Sequence, residues 1–269
     1  MINPDIQQHL RNKYNPDGSP LRCHQLKMLD ILKYIDYICR KNGISYWLSS
    51  GTCLGAVRHG GFIPWDDDVD IEMMRDDYTR FLKVFEETDQ FILQTHRNDR
   101  FYPGPFSKVR MKNTIIYDSL YKYRGVFVDV FCMEYSHSFI ARIMELYQKS
   151  FSVVLYNLLK AKQSNRIFFH LMATSFSFLK KSFYLIVPFV RFISAPFPGK
   201  VLRHTYGVGW VNNIRFETDI FPIKYVHFED TSFPVPGDYD KYLTRIYGDY
   251  MNIPSEDKIA LPHVQYYNQ

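Results

Sequence analysis

Apolar and polar residues recur along the chain with two different periods, and these predict both helices and strands. Helical spacing of apolar residues extends from about Leu21 to Lys41, with Gly43 as a C-terminal stop, and a second helix ends near Glu87. A last helix is capped by Asp238 and ended by Gly248. Strands are predicted at residues 44–49, 91–96, 106–113 and 125–133, and a hairpin-like pair is predicted at residues 228–236.

The pattern changes between about Phe139 and Thr205, where apolar and aromatic residues are interleaved with positive charge. This segment holds ten Lys or Arg and one acid, Glu145, so its net charge of +9 leaves −4 for the remainder of a chain whose total is +5. Its most hydrophobic part, residues 176–197, is interrupted by charges and a proline and falls short of the roughly 18 to 20 apolar residues of a membrane-spanning helix.

Helices lying on an anionic membrane surface explain both the charge and the apolar character of residues 139–205. An ordinary helical subdomain, with its apolar stripe in a core, is the alternative. Nucleic acid is not predicted as a partner, because no DNA- or RNA-binding motif accompanies the basic charge.

Three carboxylates, Asp66, Asp68 and Asp70, stand at alternate positions in the run PWDDDVDIE. If the run is a strand, a period of two sends these side chains to one face and buries Val69 and Ile71 on the other. Like charges along one face repel one another unless a cation lies between them. The pattern therefore predicts a metal site.

Other interpretations of this acidic run are weaker or remain open. A solvated turn is disfavoured because the run lies within apolar sequence. A calcium-binding EF-hand loop is excluded, because Ile71 stands where the loop needs glycine and Asp77 where it needs glutamate. A glycosyltransferase-type D-x-D formed by Asp66 and Asp68 stays an alternative.

The residues before the acidic run predict a phosphate site. Ser50, Gly51 and Thr52 follow a predicted strand and precede a short helix, so their amides and hydroxyls can meet a phosphate at a helix N-terminus. Arg58 and His59 add positive charge at the end of that helix.

The run GVFVDVFCM predicts a strand buried on both faces, and it carries Asp129 at its centre. A buried carboxylate is costly unless it is paired, hydrogen-bonded or bound to a metal. One interpretation is a structural salt bridge with Arg124 or Arg58. The other places Asp129 on the strand next to Asp68 and Asp70, where it completes a carboxylate cluster.

Taken together, SSGTCLGAVRHGGFIPWDDDVDIEM resembles the LicD family, which includes bacterial phosphocholine transferases and the animal fukutin-related protein. The resemblance covers about residues 44–134 and 221–263, and Lys258 and His263 correspond to the family's basic closing residues. Its I-D-I-F-P-L-D segment reads VDVFCME here, with Cys132 in place of proline and Glu134 in place of the last acid. A strand, a glycine-bearing turn, a short helix and a strand with D-x-D also resemble the polymerase-β type of nucleotidyltransferase.

The resemblance implies an α+β fold, with a nucleotidyltransferase-like mixed sheet flanked by helices and a basic, apolar helical insert. The corresponding division is residues 1–138 for the core, 139–205 for the insert and 206–269 for the part that completes the catalytic domain.

The resemblance also implies transfer of a phospho-alcohol, with phosphocholine from CDP-choline as the leading choice, onto a sugar hydroxyl of a cell-surface glycan or glycolipid, with release of CMP. Mg²⁺ or Mn²⁺ would be held by Asp66, Asp68, Asp70 and Asp129, of which Asp68, Asp70 and Asp129 are the predicted catalytic residues. The predicted substrate-binding residues are Ser50, Gly51, Thr52, Arg58, His59 and the K-x-R pair Lys108 and Arg110. The alternatives are a nucleotidyltransferase acting on a small hydroxyl acceptor and a non-catalytic membrane-associated binding protein.

The cysteines and the N-terminus bear on the compartment. Cys23, Cys39, Cys53 and Cys132 form no C-x-x-C pair, which favours buried free thiols and a reducing environment. Residues 1–10 are polar and do not read as a signal peptide. The sequence therefore predicts a cytoplasmic protein, with peripheral attachment to the inner face of the membrane as a further expectation.

Overall fold

The structure is a computed structural model that describes residues 1–116, 120–164, 166–194, 199, 201–204 and 214–259. The described helices are α1 (Pro4–Tyr14), α2 (Pro20–Asn42), α3 (Ser50–Leu54), α4 (Arg75–Val84), α5 (Ser138–Ser164), α6 (Arg166–Ser194), α7 (Glu217–Ile220) and α8 (Tyr239–Tyr247). The described strands are β1 (Trp47–Leu48), β2 (Asp70–Met74), β3 (Phe91–Gln94), β4 (Ser107–Met111), β5 (Phe127–Tyr135), β6 (Leu202–His204), β7 (Lys224–Phe228) and β8 (Thr231–Val235). A π-helical turn at Gly55–His59 continues α3, and a 3₁₀ turn lies at Glu256–Lys258.

Six strands form one mixed sheet in the order β1-β2-β5-β4-β3, and β6 pairs with the far end of β5. Strands β2 and β5 are parallel, and the other pairs are antiparallel. Strands β7 and β8 form a separate hairpin. The predicted mixed sheet flanked by helices is therefore confirmed.

Helix α2 shows how the core is assembled on this sheet. Its stripe of Met28, Ile31, Leu32 and Ile35 is almost fully buried and lies in one apolar cluster with strand residues such as Val130. The helix begins at the cap Ser19, whose hydroxyl accepts a hydrogen bond from the backbone of Arg22, and ends at Gly43 in the left-handed conformation.

Several predicted boundaries are wrong by a few residues, and two differences matter. Helix α3 begins at Ser50, so the predicted phosphate residues lie within its first turn. Strand β2 begins only at Asp70, so Asp66 and Asp68 lie on the segment that leads into it. Helix α1 was not predicted, because its sequence is polar and only Leu10 of it is buried. All four cysteines are free thiols as predicted, but Cys23 is exposed.

Helices α5 and α6 pack against each other and bury their own apolar cluster, centred on Phe151, Phe176 and Phe183. Strand β6 lies inside the segment predicted as the insert, yet it pairs with β5 of the central sheet. Among the described helices, none is both long enough and apolar enough to cross a membrane.

Glu134 at the end of β5 holds α6 against the sheet. Its carboxylate is buried and pairs with Arg191 of α6 at 2.9 Å and with Arg75 at the start of α4 at 3.0 Å. The residue that replaces the family's last acid is therefore a structural anchor between three elements.

A carboxylate cluster as the candidate active site

Asp70 and Asp129 lie side by side on the two parallel strands at the centre of the sheet. They are register partners of β2 and β5, and the Asp129 backbone N–H donates to the carbonyl of Val69 at 2.9 Å. Partners in register point to the same face of a sheet, so the two carboxylates face one another.

Asp66 and Asp68 reach the same place from the segment before β2. A Cβ atom at Gly51 would lie 3.1 Å from Asp66 Oδ2, so the first turn of α3 is in contact with this carboxylate. Asp68 is exposed, whereas the side chains of Asp66 and Asp70 are partly buried. Asp66, Asp68, Asp70 and Asp129 are called the carboxylate cluster below.

Burial and repulsion from neighbouring carboxylates act together on Asp66 and Asp70. Burial, followed by the charges of Asp68, Asp129 and Asp66, raises the pKa of Asp70. Burial and then the charge of Asp68 raise the pKa of Asp66. The carboxylate cluster is therefore a place where positive charge is strongly favoured.

Lys108 is the positive charge that the chain itself provides. It is the register partner of Asp129 on β4, and its Nζ donates to Asp129 Oδ1 at 2.5 Å. Its ammonium also lies 3.6 Å from the centroid of the Phe127 ring. The salt-bridge partner of Asp129 is therefore Lys108, and the expectation of Arg124 or Arg58 was wrong. Burial lowers the pKa of Lys108 and raises that of Asp129, in spite of this pair.

Arg110, two residues further along β4, is fully buried beside the same aromatic ring. Its Nε donates to Gln94 Oε1 at 2.5 Å and its Nη1 to the Gly125 carbonyl at 2.6 Å. These bonds tie together β3, β4 and the start of the β5 segment. The two residues of the predicted K-x-R pair therefore have different surroundings. Lys108 lies in the site, whereas Arg110 is engaged in the structure beneath it.

The turn into α3 supports the carboxylate cluster from the other side. Thr52 Oγ1 accepts a hydrogen bond from the backbone N–H of Asp70 at 2.9 Å, which fixes the start of β2. Ser50 has φ 44°, in the left-handed region that residues other than glycine rarely adopt. Its N–H donates to Tyr242 Oη at 3.2 Å, and its hydroxyl accepts from Arg215 at 3.0 Å. Backbone strain of this kind is common at functional sites.

Sequence reasoning missed the buried ionic network behind Ser50. Glu72 is fully buried and accepts hydrogen bonds from Trp47 Nε1 and Ser49 Oγ, each at 2.7 Å. His204 Nε2 lies 2.8 Å from Glu72 Oε1, and Arg215 Nη2 lies 3.3 Å from the same oxygen. Burial alone would raise the pKa of Glu72, but Arg215 and His204 hold it well below its usual range.

One signal for Glu72 was present in the sequence, because it continues the alternation of Asp66, Asp68 and Asp70 by one more step. No comparable signal pointed to Arg215 or Tyr242. Arg215 lies in a bridge with Leu202, and Tyr242 lies on α8. Both residues reach the site from segments that are far from Ser50 and Glu72 in the sequence.

Arg58 and His59 form a separate buried group. Arg58 donates from Nη1 to the carbonyls of Tyr250 and Asn252, and from Nε to His59 Nε2 at 2.9 Å. His59 Nδ1 in turn donates to Gln7 Oε1 at 2.6 Å. The structure thus gives these side chains partners in the N- and C-terminal segments, whereas the sequence predicted partners in a substrate phosphate. Lys258 is exposed in the 3₁₀ turn, and His263 lies outside the described residues.

A pH-dependent stability follows from His59. Burial, then the charges of Arg58 and the N-terminus, lowers the pKa of His59 to about 3. Because the unfolded chain binds this proton near pH 6.5, the stabilisation by neutral His59 is present above that pH and is lost as the pH falls toward 3. In His59→Gln we expect the slope of unfolding free energy against pH, measured by urea unfolding between these limits, to fall by about 1.4 kcal/mol per pH unit. An unchanged slope would show that His59 is protonated in the folded state.

The donor set of the carboxylate cluster suits a hard divalent cation, because Mg²⁺ and Mn²⁺ prefer carboxylate oxygens. As the side chains stand in the described part of the chain, no three His, Cys, Asp or Glu groups are arranged around one point as ligands. Asp129 also has one oxygen engaged by Lys108. The carboxylate cluster therefore suits a metal ion in donor chemistry and charge, although its described side chains are not arranged around one point as ligands.

Comparison with known proteins decides the family. A family model described as LicD/FKTN/FKRP, nucleotidyltransferase domain, matches residues 43–153. The chain is 33% identical over 260 residues to the lipopolysaccharide cholinephosphotransferase LicD of Haemophilus influenzae. The aligned residues make up 91% of this chain and 96% of that protein. The chain belongs to the LicD family. Human ribitol 5-phosphate transferase FKRP is 38% identical to this LicD family protein over 55 residues, 20% of this chain and 11% of FKRP. Mouse ribitol-5-phosphate transferase FKTN is 53% identical over 36 residues, 13% of this chain and 8% of FKTN.

The family model covers every member of the carboxylate cluster, the turn into α3 and Lys108. Arg215 and Tyr242, which hold Ser50 from behind, lie beyond its limits. In this LicD family protein the family match therefore contains the candidate chemistry, and part of its support comes from the C-terminal portion of the chain.

Proposed function

We propose that this LicD family protein is a metal-dependent phosphotransferase with a nucleotidyltransferase-like fold. It moves phosphocholine from CDP-choline onto a sugar hydroxyl of a cell-surface glycan or glycolipid and releases CMP. The observation that carries the proposal is the carboxylate cluster on adjacent strands, with Lys108 at one edge and the strained Ser50 turn at the other. Phosphocholine is preferred to ribitol phosphate because the relative named as a cholinephosphotransferase matches nearly the whole chain, whereas FKRP matches 55 residues.

In the proposed reaction the acceptor hydroxyl oxygen forms a bond to the phosphorus of the phosphocholine group. The bond between that phosphorus and the bridging oxygen of the diphosphate breaks, and CMP leaves with the bond's electron pair. The hydroxyl proton passes to Asp129, whose pKa burial raises and whose second oxygen is outside the Lys108 hydrogen bond. The hydroxyl of Ser50, the Gly51 backbone and Lys108 orient the phosphates.

Asp68 and Asp70, together with Asp66, would hold the metal ion. A bound Mg²⁺ or Mn²⁺ supplies positive charge against the diphosphate and the leaving nucleotide. Metal binding has a test that does not depend on activity. Because the cation relieves repulsion within the carboxylate cluster, we expect MgCl₂ or MnCl₂ to raise the thermal unfolding temperature of the wild type but not that of Asp70→Asn.

The function is tested by ³¹P NMR of the purified protein with Mg²⁺, a panel of CDP-alcohols and a crude glycolipid acceptor. We expect CMP release and a new phosphodiester signal with CDP-choline, both lost in Asp68→Ala and kept in the control Asp76→Ala, whose carboxylate is exposed at the start of α4. Turnover with another CDP-alcohol would correct the transferred group. A nucleotide attached to the acceptor would identify a nucleotidyltransferase, and silence with every CDP-alcohol would overturn the transferase proposal.

A further inference from the structure

Helix α6 carries an apolar stripe on the side opposite to its buried face. Leu171, Phe178, Leu185 and Phe192 follow one another at intervals of two helical turns, so they lie along one line of the helix. Their side chains are 61%, 75%, 78% and 78% exposed, whereas Phe176, Phe183 and Val187 on the other side are buried. These four residues are called the α6 stripe below.

Helix α5 presents apolar and basic residues together on its exposed face. Phe139, Leu146 and Val153 are again two turns apart, and each is more than half exposed. Arg142 and Lys149 lie within the same line, and Lys160 continues it toward the end of the helix. Long basic side chains on such a face can extend past an apolar surface and keep their charges in water.

An exposed apolar stripe along a whole helix is typical of a surface that meets a partner, because soluble monomers rarely leave large apolar patches in water. The charge identifies which partner fits. The exposed cations of the two helices include Arg166 and Lys181, which flank the α6 stripe, and Arg142, Lys149 and Lys160 on α5, where Lys149 pairs with Glu145 at 3.0 Å. A second copy of the chain would bring the same positive charge against itself, whereas an anionic lipid surface complements both the charge and the apolar residues.

We propose that the exposed face of α6 binds the surface of an anionic lipid bilayer, with this helix lying in the interface. The helix is suited to lying on a membrane, since its exposed apolar stripe and its buried face are on opposite sides. The side chains of the α6 stripe enter the boundary of headgroups and acyl chains, and Arg166 and Lys181 contact anionic headgroups.

The α5–α6 pair is tied firmly to the catalytic part, so that binding would orient the whole protein. Arg191 of α6 pairs with Glu134, which lies on the same strand as Asp129. Lys180 donates to the carbonyls of Asp99 and Arg100 at 2.8 and 2.9 Å. Attachment would therefore hold the carboxylate cluster at a fixed position relative to the bilayer. That this position serves a membrane-borne acceptor rests on the proposed function, but lipid binding itself does not.

The test is co-sedimentation of the full chain with vesicles of equal parts phosphatidylcholine and phosphatidylglycerol, at low salt, compared with phosphatidylcholine alone. We expect binding to the anionic vesicles that weakens as salt is added. Arg166→Gln and Lys181→Gln combined should lower the partition coefficient roughly twenty-five-fold, because each cation near an anionic surface contributes about a factor of five. Phe178→Ser with Leu185→Ser should lower it at least about tenfold, because two exposed apolar side chains can no longer enter the bilayer.

Matched controls are available on the rest of the surface. Lys41→Gln and Lys241→Gln remove the same amount of charge from exposed positions on α2 and α8, and Ile6→Ser with Leu26→Ser remove exposed apolar side chains from α1 and α2. Both controls should bind like the wild type. Absence of binding at low salt, equal loss in the controls, or equal binding to neutral vesicles would overturn the proposal. Self-association of the wild type that Phe178→Ser abolishes would overturn it in favour of a second copy.

Failure of this proposal can be separated from failure of the proposed function. Transfer to a soluble acceptor sugar needs the carboxylate cluster and no membrane, so the α6 variants that lose lipid binding should retain this transfer if the function is right.

Discussion

Asp70→Asn should lower the rate of CMP release by at least about a hundredfold to a thousandfold, the range expected when a preorganised charge is removed from a reaction centre. The substitution keeps the size of the side chain, and the backbone N–H of Asp70 can still donate to Thr52 Oγ1. It removes the carboxylate that faces Asp129 across the two parallel strands. The measurement is CMP release under saturating donor and Mg²⁺.

The stability of the same variant should move in the opposite direction to its activity. In the wild type, burial and the charges of Asp68, Asp129 and Asp66 raise the pKa of Asp70, so its ionised form is unfavourable in the metal-free protein. Removing that charge should leave the free energy of unfolding in urea unchanged or increase it. Asp76→Asn, outside the carboxylate cluster, should leave activity intact. Parallel loss of activity and stability in Asp70→Asn would assign this carboxylate a structural role.

The arrangement of Asp70 and Asp129 could be predicted from the sequence because both lie in apolar runs. The run around Asp129 had to be a buried strand, and the alternation around Asp70 fixed which side chains enter the core. Two partly buried carboxylates side by side are tolerable when they share a cation or a counter-charge. The structure supplies Lys108 as that counter-charge.

Residues that depend on distant segments could not be predicted in the same way. Arg58 looked like a phosphate ligand because of its neighbours in sequence, yet its guanidinium binds carbonyls near residue 250. Arg215 gave no local signal at all, since its partners Glu72 and Ser50 lie more than a hundred residues earlier. Sequence periodicity reports which face a side chain occupies, but not which remote segment covers that face.

Residues 139–205 also show which features could be predicted from the sequence and which could not. Their charge and apolar content were readable from composition, and Lys180, Lys181, Pro188 and Arg191 were readable as interruptions of their most hydrophobic part. The separation into buried and exposed stripes required knowing how α5 and α6 pack. Only that packing shows that the α6 stripe is left uncovered by the described part of the chain.

Arg215→Leu should reduce the free energy of unfolding by about 3 to 5 kcal/mol, the usual cost of breaking a buried ion pair by removing one partner. Both Arg215 and Glu72 are essentially inaccessible to solvent, with side-chain exposures of 1% and 0%. Without Arg215, the Glu72 charge must be stabilised by hydrogen bonds and by His204. Urea unfolding at neutral pH measures the loss, and a change below about 1 kcal/mol would contradict it.

The pH dependence and a double variant separate the ion pair from simple packing. In the wild type the pKa of Glu72 is depressed, so its stabilisation is present above the unfolded pKa of about 4.3 and is lost as the pH falls below it. In Arg215→Leu the charge that counteracts the effect of burial is gone, so the pKa of Glu72 should rise. Protonation of Glu72 at lower pH should then relieve the destabilisation. The stability gap between the two proteins should therefore narrow as the pH falls toward 4.

Combining Glu72→Gln with Arg215→Leu should cost less than the sum of the two single changes, because the buried charge and its partner disappear together. A purely additive result would mean that Arg215 acts through its hydrogen bonds to Tyr242 and Ser50 and not through its charge. Activity distinguishes these two roles once more. Since Arg215 holds the Ser50 hydroxyl, the double variant can regain stability but should not regain the rate of CMP release.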